Sequence, residues 1–142
     1  MSRESKLMAG ILLLTLPTVM FGGTSLLTFL INDPSYIKNA LRQDLWRAGH
    51  AHAGVLLILS LIVLRYVDDT SLSDKMKWFV RVAVPSAAIF LPIAFFFSVL
   101  SPTASQPNGI IYLAYFGAVI LAAGVLTLAI GLIKGARKNT NA

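Results

Sequence analysis

Residues 82–133 read VAVPSAAIFLPIAFFFSVLSPTASQPNGIIYLAYFGAVILAAGVLTLAIGLI, 52 consecutive positions without an Asp, Glu, Lys or Arg. A helix crossing a hydrocarbon core about 30 Å thick needs about 20 apolar residues, so the run is too long for one crossing. It divides at Ser101-Pro102-Thr103-Ala104-Ser105-Gln106-Pro107-Asn108, where prolines and small polar residues end helices and set turns. The stretch therefore predicts two membrane spans, 82–100 and 109–133, joined by an uncharged loop.

Working outward, 26 uncharged residues separate Lys6 from Asp33 and predict a first span over 7–31. That run is longer than the roughly 7–15 residues of a signal-peptide core and is expected to stay as a helix. Only 17 uncharged residues separate Arg47 from Arg65. Trp46 and Tyr66 flank them as interfacial anchors, and both arginines can extend outward, so a second span is expected over 46–66. The expected fold is all-α, an integral membrane four-helix bundle forming one domain over 1–142.

Composition agrees. Apolar residues make up 56% and charged residues 13% of the chain, and mean hydropathy is +0.75. Soluble domains carry about 25% charged residues, so lipid is the simpler solvent. The net charge of +6 would suggest nucleic acid in a soluble protein. Here the basic residues sit at the ends of apolar runs, where the positive-inside bias accounts for them, and no nucleic-acid role is expected. There is no cysteine, which excludes disulfides and thiolate chemistry.

Arg3, Lys6, Arg65, Lys75, Lys77, Arg81, Lys134, Arg137 and Lys138 fall on one side of these spans. Lys38, Arg42 and Arg47 fall on the other. Nine against three places both termini in the cytoplasm and the protein in the cell membrane. The outer segment 32–45 alternates polar and apolar residues and could form a short amphipathic helix.

Helices in lipid approach closely through small residues. The fourth span carries Gly117, Gly124 and Gly131 at a spacing of seven. Tight packing within the chain is the plainest reading of this row. The same face could instead dock a second copy or a larger membrane complex.

Apart from Arg47 and Arg65 at the ends of the second, no span contains Asp, Glu, Lys or Arg, and no nucleophile–base set, carboxylate pair or phosphate loop is present. The chemistry concentrates in Trp46-Arg47-Ala48-Gly49-His50-Ala51-His52-Ala53-Gly54, which holds both histidines of the chain. Residues two apart on a helix point about 200° from each other, so His50 and His52 face different neighbours. At the same depth lie Thr24, Ser25 and Thr28 on the first span, Ser98 on the third, and Tyr112 and Tyr115 on the fourth. An outward-facing polar pocket follows if these residues point inward. The structural alternative is a histidine that only bonds a neighbouring helix.

The stretch from Leu45 to Leu56 resembles a signature of small, uncharacterised bacterial four-helix membrane proteins. Pro92 to Ser98 and the glycine-rich fourth span are similar to the same group, and the likeness implies a fold without an activity. More distantly, a histidine-bearing helix followed by an apolar run resembles the haem-ligating helices of haem-copper oxidase catalytic subunits. That likeness implies His50 or His52 as an axial haem ligand. The further histidines of a copper site are absent, so oxygen reduction is not implied.

Three functions are consistent with these residues. The first is a binding protein whose histidine holds haem b, a metal or a quinone headgroup. The second is a non-catalytic accessory subunit, and the third an oligomeric transporter of a small neutral solute. No residue is expected to be catalytic unless a cofactor brings the chemistry.

Overall fold

The computed structural model describes residues 1–140, with side chains through Arg137. The Lys138 side chain, part of the basic count above, lies outside the described residues, as do positions 141–142. Five α-helices follow one another: α1 (Arg3–Asn32), α2 (Pro34–Ile37), α3 (Ala40–Tyr66), α4 (Asp74–Ser98) and α5 (Leu113–Thr140). No strand occurs among the described residues, and four helices are long and apolar enough to cross a membrane.

The helix boundaries follow from local capping. Ser2 caps α1 by accepting the Ser5 N–H at 3.2 Å. Asp33 ends α1 and starts α2, accepting the N–H groups of Ser35 and Tyr36 beside Pro34 in the first turn. Asn39 caps α3 by accepting the Arg42 N–H at 3.1 Å, and its amide donates to Pro102 O and Ala104 O. Those caps correct the reading of 32–45 as one amphipathic helix. Only Pro34–Ile37 stands alone, and from Ala40 onward the segment forms the first turns of α3.

Among the long helices α3 and α4 are central, with α1 against α3 and α5 against α4. Val63, Val67, Val80, Val84 and Leu128 form one buried cluster, and Leu56, Ala87 and Leu91 a second. The glycine row of α5 is used inside the molecule. A Cβ on Gly117 would lie 2.5 Å from Leu91 Cδ1, one on Gly124 3.0 Å from Val84 Cγ2, and one on Gly131 2.6 Å from Leu72 Cγ. Gly117, Gly124 and Gly131 therefore pack within the chain, their groove filled by α4 and the turn before it.

The α1 helix is held differently. Its only buried residue is Ser5. Ser2 N–H donates to Asp68 Oδ2 at 2.7 Å, while Ser71 N–H donates to Gly131 O of α5 at 3.5 Å. The N-terminus and the far end of α5 thus flank the same 67–73 turn, at one end of the molecule. The histidine segment is at the other end.

Candidate functional site

The end of the molecule that holds the histidine segment is built around the C-terminus of α4. A helix leaves its last carbonyls without partners, and in an apolar setting each must find one. Ser98 Oγ–H donates to Phe95 O, Trp46 Nε1–H to Phe96 O, and Asn108 supplies donors to Phe97 O and Ser98 O. Arg42 Nε–H donates to Val99 O at 3.2 Å. Arg42 also places its guanidinium 4.4 Å from the Trp46 ring, and Trp46 packs against Phe29, Tyr36 and Phe96. Trp46, expected in a binding site, is therefore a capping and packing residue.

As helical geometry requires, the two histidines diverge. His52 lies against Phe95 of α4, ring centroids 5.1 Å apart. Its Nδ1 is 2.8 Å from Ala48 O, and a carbonyl accepts only from N–H. In the neutral ring the proton therefore sits on Nδ1 and Nε2 keeps its lone pair. The ring borders a shallow groove with Ala51, Val55 and Leu56.

His50 faces α1 instead. A Cβ on Gly23 would lie 3.0 Å from His50 Nε2, and one on Gly22 3.7 Å from Nδ1. The glycine pair is a notch in α1 shaped to take the imidazole, and even Ala at position 23 would press on the ring. His50 borders a cavity of about 240 Å³ between α1 and α3. Gly23, Leu26, Leu27 and Leu30 supply the α1 wall, Gln43 and Arg47 the α3 rim, and Tyr36 the roof. Leu27 and Leu30 are also exposed on the surface of the bundle, so the cavity opens sideways between α1 and α3.

Donors at this cavity differ in how far they are committed. Gln43 donates to Tyr36 O and Ile37 O. Arg47 donates to Gln43 O and pairs with Asp44 at 3.0 Å. Neither ring nitrogen of His50 nor the Tyr36 hydroxyl has a hydrogen-bond partner among the described residues. Arg42 Nη1 is the one side-chain nitrogen or oxygen there that is both fully buried and unpartnered, so the His50 and Tyr36 groups keep open surface. Burial pushes the Tyr36 phenol up, against a downward pull from Arg47 and Arg42, and it stays a neutral O–H donor.

The remaining expected site residues lie elsewhere. Thr24, Ser25 and Thr28 donate to Phe21 O and Thr24 O within α1, with Thr24 and Thr28 exposed. Tyr112 and Tyr115 stack on each other with centroids 6.2 Å apart and are 70% and 69% exposed. These four corrections have two causes. Threonine hydroxyls satisfy themselves on the preceding turn, and tyrosines at a helix end favour the membrane interface. The inward layer expected from depth alone does not form. Conversely Tyr36, Gln43 and Gly22-Gly23 belong to the cavity although the sequence did not mark them. A doubled glycine in an apolar span was the available signal.

Fit to a metal or haem is poor at His50. The two histidines face different helices, and no group of three or more His, Cys, Asp or Glu gathers among the described residues. A metal needs several such ligands at about 2.0–2.1 Å, and His50 has no second His, Cys, Asp or Glu gathered beside it to complete a set. His52, with Nε2 bare toward the outside, could offer a single ligand and no more. No protein-family model, curated protein or solved structure matches the chain.

Proposed function

We propose that this chain is a multi-pass cell-membrane protein, both termini cytoplasmic, that binds a lipid-soluble small molecule in the outer cavity between α1 and α3. One observation carries the reading: His50 borders that cavity with both ring nitrogens unpartnered, while Leu26, Leu27 and Leu30 make one wall apolar. An imidazole within a membrane protein is costly to leave unbonded, and such groups mark functional sites by default. A polar head would bond His50 near the rim of Gln43 and Arg47, and an apolar body would lie along α1. The nine-to-three distribution of basic residues supports the orientation.

Size argues for a small head. A cavity of about 150 Å³ takes a benzene ring, so 240 Å³ suits one substituted ring better than a porphyrin. The accessory-subunit reading draws on the other histidine, whose bare Nε2 borders an outward groove. Transport has less support, since the Val63–Val84 cluster fills the space between α3, α4 and α5.

The test is organic extraction of protein purified in detergent from its native membrane, followed by mass spectrometry and an absorption spectrum. A lipophile enriched in wild type and depleted in His50→Ala and Gly23→Leu is expected, with no Soret band. No enrichment over a detergent control would sink the reading. A Soret band lost in His52→Ala and kept in His50→Ala would move the chemistry to the other face of α3.

A further inference from the structure

The geometry points to a ligand with two acceptor oxygens on a single ring, the 1,4-dione head of a quinone, bonded by His50 and by Tyr36 together. This rests on the cavity being a binding site and goes further by naming what it selects. Tyr36 is 2% exposed, borders the same cavity as His50, and its hydroxyl has no partner among the described residues. A phenol buried to that degree normally finds an acceptor, because an unmade hydrogen bond in an apolar setting is expensive. Its ring has a structural job already, packed against Phe29 and Trp46 at 6.0 and 5.5 Å. Phenylalanine would do that job equally well, and the hydroxyl, which keeps some open surface and no partner among the described residues, is left free to donate to an acceptor in the cavity.

The chemistry of the two groups narrows the ligand. A neutral imidazole offers one N–H and a tyrosine one O–H, so the cavity presents two neutral donors to one occupant. The cation that lines the cavity is occupied, since Arg47 is paired with Asp44 and donates to Gln43 O. A carboxylate or phosphate head is therefore matched less well than a neutral molecule with separated carbonyl oxygens. The cavity holds about one ring, and the leucines of α1 that reach lipid give an isoprenoid or alkyl tail its way out.

The decisive experiment titrates detergent-solubilised full-length protein with a short-tailed benzoquinone, read by quenching of tryptophan fluorescence. A ketone of the same ring and tail with one carbonyl serves as comparison. Wild type should prefer the dione by about five- to tenfold, the worth of one added hydrogen bond, and Tyr36→Phe should abolish that preference while keeping the aromatic packing. Equal affinity for dione and mono-ketone in wild type overturns the assignment, and does so whether or not Tyr36→Phe folds. Saturable binding of a fatty acid that ignores Tyr36→Phe overturns it too, yet leaves the cavity as a lipophile site. Failure of every lipophile to bind removes both readings together.

Discussion

Arg42 and Arg81 are equally buried, each 5% exposed, and they hold opposite ends of the molecule by different means. Arg81 donates from Nε to Ser5 Oγ at 3.0 Å, from Nη2 to Ser2 Oγ at 3.2 Å, and to Asp68 Oδ1. It ties the start of α1 and the turn after α3 to α4 through complementary charge. Arg42 has no carboxylate. It rests on one carbonyl and the faces of Trp46 and Tyr36, with Nη1 unpartnered. The end that holds the N-terminus is therefore a latch, and the opposite end a set of aromatic contacts near which α1 meets α3 across a glycine notch. The cavity lies at the second kind of end.

The strongest way to break this contrast is to cut the latch. Arg81→Ala strands the Asp68 carboxylate in a largely buried site, and removing one partner of such a pair costs about 3–5 kcal/mol. Chemical denaturation in detergent micelles should show that loss, and the double change Arg81→Met with Asp68→Leu should recover much of it. Arg42→Ala should cost less, about 2 kcal/mol, the scale of a desolvated cation–π contact. If the two single substitutions prove equally damaging, the ends are not held differently.

Acid sharpens the contrast without removing an atom. Burial alone would raise the Asp68 carboxyl, but the Ser2 N–H, Ser5 and Arg81 outweigh it and hold the group at about 2, below its ordinary 3.8. A depressed carboxylate contributes stability that is full above its unfolded value and is lost as pH falls through its folded one. The latch should hold above about pH 4 and weaken progressively toward pH 2. Denaturation midpoints across that range should fall for wild type and Arg42→Ala alike. In Asp68→Asn, already less stable, this part of the decline should be missing, and an unchanged slope there would refute the assignment.

How much was legible differs between fold and site. The charge-free run 82–133 and its Pro-rich interruption match α4, the loop and α5, and the Lys6–Asp33 gap matches α1. The opposed directions of His50 and His52 followed from the helical period alone. The site residues fared otherwise. Trp46 caps α4, Thr24 and Thr28 bond their own helix, and Tyr112 and Tyr115 turn outward, whereas His50 and Arg47 border the cavity. Depth along a span was a poor guide, because it says nothing about which side of the helix a residue occupies.

Hydropathy is a property of each residue and adds along the chain, so the sequence by itself determined the number of long helices and where the charge-free run breaks. Only the tertiary structure decided that Gly22 and Gly23 receive His50, that α4 fills the glycine row of α5, and that Tyr36 closes the cavity. Those pairings join residues from 14 to 59 positions apart, and they depend on how each helix is rotated against its neighbour. That rotation minimises voids over whole helix faces, a sum over contacts that no local stretch of sequence contains.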